Sequence, residues 1–440
     1  MKTRFIISSV FYSLVIGFLA NSFVFIRKYP SSLFAIIPVF LLVMIFAGTS
    51  ILTARRSRVC LHGTLLLYAF CAALVLSCVF QIPLAVRSLL SNPMTLVWSL
   101  VLCVGVLFVV FWTGILCVYL TSAQLGFRLR LIGLLCGLIP IANLVALFFI
   151  LKTTSAECMF EIGKDQYNKQ RKCQQVCATK YPILMVHGVF FRDTKFFNYW
   201  GRIPKELEIN GATIFYGNHP SAASVAESAA ALKERILQIL DETGAEKVNI
   251  IAHSKGGLDC RYAIAQFNIA DCVASLTTVN TPHRGCLFAD YLLTKIPSDT
   301  KDRVAKTYNT ALRKLGEKDA DFLAAVNDLT DAYCQQLDNQ MPTPEGVFCQ
   351  SIGSVLRKAG NGKFPLNFSY HLVKYFSGEN DGLVSEDSFA WGETYTLLRS
   401  TGKRGISHGD MIDLNRENIP GFDVREFYVG LVKDLKNRGL

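Results

Sequence analysis

The sequence predicts two structural units in series: an all-α transmembrane helical region, then an α/β domain built on a mostly parallel sheet and carrying a helical cap. Three observations predict this. The first 152 residues hold eleven Lys or Arg and no Asp or Glu. Short apolar runs alternate with helical patterns after residue 180, and the alternation fails once, between about Cys286 and Met341. At 440 residues the chain also exceeds the usual size of one domain.

The charge is unevenly placed. The formal +11 belongs wholly to the first part, because beyond Lys152 the remaining 34 bases balance all 34 acids. The early bases occupy gaps between five apolar runs: about Phe5 to Ile26, Leu33 to Thr53, Leu61 to Val86, Thr95 to Leu120 and Leu131 to Leu151. None of the runs contains a charged side chain, and each reaches the roughly 20 residues a helix needs to cross a hydrocarbon core of about 30 Å. Residues 1–152 therefore read as an integral, multi-pass membrane domain. A nucleic-acid partner is excluded, since its basic excess would sit on a folded polar surface. Lys2 and Arg4 precede the first run, as in a signal peptide. Its length and the bulky Phe23, Val24, Phe25 and Ile26 at its end favour a retained anchor.

Orientation follows from counting bases. With five spans, the amino-terminal side holds seven and the other side four, Arg27, Lys28, Arg87 and Lys152. This narrow count puts the amino terminus in the cytoplasm and the second unit outside; adding Lys164, Lys169, Arg171 and Lys172 ties the two sides. Pro140 leaves open a kinked or re-entrant fifth run, which would reverse the side. Of the fourteen cysteines, six lie in the apolar first part as small hydrophobes, and the rest form no C-x-x-C pair. So many free thiols favour a reducing setting, against the narrow count.

Residues 153–179 turn polar and read as a juxtamembrane helix or linker before an α/β domain at 180–440. Expected strands are Tyr181 to Val186, Ala212 to Tyr216, Lys247 to Ala252, Val273 to Val279, Val347 to Gly353, Ser369 to Ser377 and Thr394 to Ser400. Helices fit between them, notably Ala222 to Leu240 and Asp423 to Lys436. The insertion at about 286–341 has two helical stripes. One is Val304, Tyr308, Leu312 and Leu315; the other is Phe322, Val326, Leu329 and Tyr333. It reads as a cap over a site.

The run from Val248 to Gly257 is a strand, a sharp turn and a helix start, with small residues two before and two after Ser254. That context lets the chain turn tightly and present the serine hydroxyl at a helix amino terminus. Ala252 stands where such turns usually carry Gly, a mild steric departure. A serine hydroxyl is a weak nucleophile, so it needs a base held by an acid. His408 alone among seven histidines comes late, in a loop-like stretch, and Asp381 lies between serine and histidine beside Gly382. Glu379 and Asp387 are the alternatives for the acid. His187 reads instead as a histidine bonded to its own loop backbone. The oxyanion formed in acyl transfer needs two backbone N–H donors, assigned to Lys255 after the nucleophile and Val189 in the loop after the first strand.

These residues resemble the bacterial triacylglycerol lipases within the α/β-hydrolase superfamily. The resemblance covers about Lys180 to Leu440 and rests on HGVFF at 187–191, AHSKGG at 252–257, NTPHRG at 280–285, NDGLVS at 380–385 and SHGDMID at 407–413. It implies an α/β-hydrolase fold, a Ser254, Asp381 and His408 triad, and an oxyanion hole at Val189 and Lys255. It implies no required cofactor, although some members hold a structural calcium through a position that Asp410 matches. The expected activity is a membrane-anchored carboxylic-ester hydrolase acting on lipid or other amphiphilic esters, with protein partners unspecified. Two alternatives share these residues: an acyltransferase using the same triad, and a membrane protein whose hydrolase domain is inactive.

Overall fold

In the computed structural model, residues 2–28, 56–137, 139–189, 198–314, 321–363 and 366–440 are described. The second apolar run, Leu33 to Thr53, lies outside them, as do Phe190, Phe191 and Leu315. The chain divides into two compact units, Met1–Lys169 and Gln170–Leu440.

The first unit is helical: α1 Lys2–Ala20, α2 Ser22–Lys28, α3 Arg56–Ser88, α4 Pro93–Thr121, α5 Gly126–Leu135 and α6 Pro140–Arg171. Of these, α3, α4 and α6 are long and apolar enough to cross a membrane, while Phe5–Ala20 is a shorter apolar helix. The fifth run is not one helix. Pro140 lacks a backbone donor and stands at the first position of α6, so the run splits there into α5 and α6. From Pro140, α6 continues without a break through the polar stretch to Arg171.

Large apolar side chains such as Val75, Val79, Val101, Val104 and Phe108 are exposed, while polar ones are buried. Inside, Asn21 Nδ2 donates to Ser77 Oγ (2.9 Å), Gln81 Nε2 donates to Asn21 Oδ1 (3.1 Å) and Ser99 Oγ donates to Gln81 Oε1 (3.0 Å). Apolar outside and polar inside is the reverse of a water-soluble bundle. Basic side chains close the end of α4: Arg56 Nε donates to Thr121 O (2.8 Å) and Arg130 Nε to Tyr119 O (3.1 Å). Cations there offset the exposed carbonyls of a helix carboxyl terminus. Arg56 of α3 and Arg130 of α5 thus meet one end of one helix.

The second unit holds a six-stranded parallel sheet: β1 Ile183–Val186, β2 Ile214–Tyr216, β3 Val248–His253, β4 Val273–Val279, β5 Phe348–Ser354 and β6 Thr394–Leu398, in the order β2-β1-β3-β4-β5-β6. Its helices are α7 Ile203–Ile209, α8 Val225–Thr243, α9 Lys255–Gln266, α10 Leu287–Lys295, α11 Ser298–Lys314, α12 Phe322–Asn327, α13 Asp331–Gln340, α14 Leu366–Ser377 and α15 Val424–Asn437. Alternate side chains of one strand serve opposite faces. In β1, Leu184 and Val186 pack with Leu232 and Ile236 of α8 and Ala263 of α9, whereas Ile183 and Met185 pack with Leu207 of α7 and Tyr428 of α15. Ser224 and Glu227 form a reciprocal capping box that starts α8. The insertion contributes α10 to α13 and, among the described residues, no strand.

One expected strand is a helix. Ser369 to Ser377 belongs to α14, because β5 and β6 pair directly, Gln350 with Thr394 through Ser354 with Leu398, leaving no place for a strand between them. The aromatic and β-branched residues that suggested a strand include Tyr370 and Val373, which are buried with Ser369 at helical spacing. Asp381 therefore follows a helix.

Leu232 is fully buried between α8 and the sheet. Its replacement by Ala is expected to lower the unfolding free energy by about 2–5 kcal/mol, read from the urea midpoint followed by tryptophan fluorescence.

Candidate active site

Ser254 occupies the junction of β3 and α9 with φ +56° and ψ −133°. A non-glycine residue held at positive φ is strained, and such strain persists only where neighbours enforce it. Here the backbone supplies the clamp: Ser254 N donates to Val279 O (2.9 Å) and Gly257 N to Ser254 O (3.0 Å). Flanking loops close on the turn. A Cβ on Gly188 would lie 2.8 Å from Ser254 Cβ, one on Gly256 2.4 Å from His187 O, and one on Gly257 2.2 Å from Thr281 Oγ1. Ala252, fully buried, sits in the strand beside Val186 and Thr278, where its methyl is accommodated.

Asp381 and His408 are brought together. His408 Nδ1 donates to Asp381 Oδ2 at 2.6 Å, and His408 N donates to Asp381 O at 2.9 Å. The fully buried carboxylate accepts three further hydrogen bonds: Leu383 N (2.9 Å) and Val384 N (2.8 Å) to Oδ1, and Asn280 Nδ2 (2.6 Å) to Oδ2. A buried charge so compensated is held in one orientation. With Nδ1 committed, Nε2 is the imidazole atom left to exchange a proton. Ser254 and His408 each keep a small exposed surface, and the Ser254 hydroxyl makes no hydrogen bond among the described residues. Catalytic contacts are often longer before substrate binds.

A second hydrogen-bonded chain runs behind the first. Gly188 N donates to Tyr199 Oη (3.1 Å), Tyr199 Oη lies 2.7 Å from His253 Nδ1, and His253 Nε2 lies 3.2 Å from His408 O. A carbonyl only accepts, so His253 Nε2 carries the proton and Nδ1 accepts from Tyr199. Burial first, then the charge of His408, holds the His253 imidazole well below the usual histidine range, consistent with that neutral tautomer. Arg202 grips Asp413 with Nε (2.7 Å) and Nη2 (2.8 Å), tying the turn after Tyr199 to the loop after His408.

Lys255, assigned as a backbone donor, buries its side chain. Its Nζ donates to Asp259 Oδ1 (2.7 Å) and Ser228 Oγ (3.0 Å), and His219 Nε2 lies 3.5 Å from the other Asp259 oxygen. His219 stacks on His187 at 4.0 Å between centroids, and His187 Nδ1 lies 2.9 Å from Gly188 O, as expected of a histidine bonded to its own loop. Burial pushes the Asp259 carboxyl up to about 6, outweighing the opposing effect of Lys255. Val189, the other assigned donor, is buried directly after Gly188.

The remaining candidates have other tasks. Glu379 pairs with Arg399, and Asp387 accepts from Arg284 Nη1 through its backbone oxygen. His283 bonds Thr278 Oγ1 (2.9 Å) and Arg261 Nη1 (3.1 Å). Asp410, where the resemblance implies a calcium ligand, accepts from Arg404 Nη2 (3.0 Å) and Ser407 N (2.8 Å). A guanidinium stands where a cation would, so the donor set does not fit calcium. Among the described residues, no group of three His, Cys, Asp or Glu is placed to hold a metal ion, and all fourteen cysteines are free. Asn280, Tyr199 and Asp259 escaped the sequence reading. Asp259 left a signal in its i,i+4 spacing from Lys255, and Asn280 in opening the NTPHRG run.

Tyr199→Phe leaves Gly188 N and His253 Nδ1 without their shared partner and is expected to cost about 1–3 kcal/mol in urea unfolding. Asp259 holds its proton to about pH 6 when folded against an ordinary value of 3.8. Its contribution to stability is thus complete below about 3.8 and lost as pH rises through about 6. Unfolding free energy should therefore fall more steeply between about pH 4 and 6 in the wild type than in Asp259→Asn; parallel slopes would contradict this.

Residues 181–404 match the family model described as alpha/beta hydrolase fold. A triacylglycerol lipase of Pseudarthrobacter phenanthrenivorans is 34% identical over 180 residues, 38% of this chain and 55% of that protein. One from Burkholderia plantarii is 34% identical over 180 residues, 38% of this chain and 49% of its own. Triacylglycerol lipase 2 of Saccharomyces cerevisiae is 28% identical over 261 residues, 55% of this chain and 74% of its own. The chain thus spans about half the length of the two bacterial relatives. The crystal structure of mature Bacillus licheniformis lipase BlEst2 aligns with a TM-score of 0.44 at 22% identity, covering 58% of this chain and 92% of that one. With half the chain matched by the family model and a parallel sheet of six strands, the protein belongs to the α/β-hydrolase fold family and is a distant relative of the triacylglycerol lipases.

Proposed function

We propose that this chain is a membrane-anchored serine carboxylic-ester hydrolase that cleaves lipid esters. The observation that carries the reading is the 2.6 Å bond from His408 Nδ1 to a fully compensated Asp381, in the same unit as a serine held at positive φ at a strand–helix turn. Ser254 Oγ attacks the acyl carbon while His408 Nε2 takes its proton, and Asp381 steadies the imidazolium. Negative charge on the carbonyl oxygen is met by the backbone N–H groups of Val189 and Lys255. The alkoxide leaves with the proton from His408 Nε2, forming an acyl-serine. Water, deprotonated by His408, then attacks the acyl-serine, releases the acid and restores Ser254. Side chains and water suffice for these steps, so no cofactor enters.

The lipid substrate class is supported by the names of the relatives and by the apolar amino-terminal helices. In this reading residues 1–152 are the membrane domain, 153–179 the linker and 180–440 the catalytic domain, with 286–341 as its cap. The narrow count of bases puts that domain on the extracytoplasmic side.

Ser254→Ala in the full chain is expected to lose about 10³-fold or more of its p-nitrophenyl ester hydrolysis, and all labelling by a fluorophosphonate, with an unchanged urea midpoint. Retention of hydrolysis in that variant would overturn the assignment.

A further inference from the structure

We propose that residues 126–157 form a re-entrant hairpin instead of a fifth crossing, so that the chain leaves its helical unit on the arginine-bearing, cytoplasmic side. Three helices set the frame. α3 and α4 are antiparallel, because Arg56 Nε donates to Thr121 O (2.8 Å) at one end and Ser99 Oγ donates to Gln81 Oε1 (3.0 Å) nearer the other. α1 runs parallel to α3, since Tyr12 Oη lies 3.1 Å from His62 Nδ1 and Asn21 Nδ2 lies 2.9 Å from Ser77 Oγ. The starts of α1 and α3 and the end of α4 therefore share one end of the unit.

α5 begins at that end and is too short to leave by the other. Its ten residues, Gly126–Leu135, rise only about 15 Å, half of a hydrocarbon core of about 30 Å. Arg130 Nη2 donates to Ser122 O (2.5 Å) and Tyr119 Oη donates to Arg130 O (3.3 Å), holding α5 beside the last turns of α4. A Cβ on Gly133 would lie 3.1 Å from Ile150 Cδ1, whereas Glu157 accepts from Ser122 Oγ (2.5 Å), Ala123 N (2.8 Å) and Gln124 N (3.3 Å). Later residues of α6 thus meet earlier residues of the segment that leads through α5, and the two helices are antiparallel. Thr64 Oγ1, about two turns into α3, lies 3.8 Å from Cys158 Sγ, and Leu147 and Leu151 share an apolar cluster with Leu67 and Val118. α6 therefore returns to the end at which α5 entered.

Two features suit this hairpin to lipid. Its outward side chains are apolar, with Leu134, Leu135, Ile141 and Phe148 all exposed. The turn bonds its own backbone: Asn143 Nδ2 donates to Gly137 O (3.1 Å) and Asn143 N to Ile139 O (2.7 Å), as backbone at membrane depth requires. Glu157, the first acid in the chain, stands at the amino terminus of α5, where a negative charge is favoured.

Charge then assigns the side. The shared end carries Arg56, Arg58, Arg128 and Arg130, and the opposite end of α3 carries Arg87. Lys152, Lys164, Lys169, Arg171 and Lys172 join the arginine side once the fifth run does not cross. The narrow count of bases gave the reverse because it took residues 131–151 as a crossing. All fourteen cysteines are free, in keeping with a reducing cytoplasm. Under the ester-hydrolase reading, the substrates open to the second unit are lipid esters of the cytoplasmic leaflet; the topology itself does not rest on that reading.

Labelling with a membrane-impermeant maleimide tests the proposal. The full chain is expressed in a bacterial host, and right-side-out and inverted membrane vesicles are treated in parallel. Exposed Cys173 should be labelled in inverted vesicles and not in right-side-out ones, and Cys173→Ser should lose that signal. In the Cys173→Ser background, Arg128→Cys at the start of α5 should be labelled from the same face as native Cys173, and Ser91→Cys, between α3 and α4, from the other. Labelling of Cys173 and of Arg128→Cys from opposite faces overturns the hairpin. Labelling of both in right-side-out vesicles overturns the cytoplasmic side. Ser254→Ala should label as the wild type does, and a wild type that labels as expected yet hydrolyses no ester would refute the hydrolase reading alone.

Discussion

The close approach of three chain segments around Ser254 is the constraint on which the rest of this unit depends. The carboxyl ends of β1, β3 and β4 converge so tightly that side chains at Gly188, Gly256 and Gly257 would collide with backbone, with the Thr281 side chain or with Ser254 itself. Only such convergence can hold a serine at positive φ, because the strain is opposed by the whole packed sheet instead of by local contacts. The parallel sheet matters for the same reason. Its strands point the same way, so loops from different parts of the chain gather at one edge, where side chains far apart in sequence can meet.

Polar bonds then connect those loops in pairs. Asn280 after β4 holds Asp381, Asp381 holds His408, and His253 beside Ser254 holds the His408 backbone. Each group in these chains is buried or nearly so, which makes an unpaired member expensive and a paired one rigid. Burial also decides protonation. His253 stays neutral and serves as a relay between a hydroxyl and a carbonyl, while His408 is bonded to a carboxylate through one nitrogen and makes no hydrogen bond through the other among the described residues. Two histidines thus differ in role through their partners alone.

The amino-terminal unit distributes its side chains the other way round. Valine and phenylalanine face outward, and Asn21, Ser77, Gln81 and Ser99 satisfy one another inside. Interhelical hydrogen bonds of this kind fix which faces of apolar helices meet, since apolar packing alone has little preference in an apolar surrounding.

Much of this was legible in the residues. Periodicity and the acid-free first 152 residues marked the two units, and the strand, turn and small residues around Ser254 located the turn itself, because these are local properties of the chain. Five of the seven expected strands shifted by a residue or two and one matched, Val273–Val279. Ser369 to Ser377 went wrong because aromatic residues suit a strand or a helix, and only the direct pairing of β5 with β6 decides between them. The partners of the site were likewise beyond local pattern. Tyr199 and Asn280 lie 54 and 101 residues from the side chains they hold, and although Asn280 opens the NTPHRG run, nothing local ties either residue to its partner. Residue type and spacing determined which groups could react; the sheet's topology decided which of them meet, since contact between distant segments is settled by packing and not by sequence neighbours.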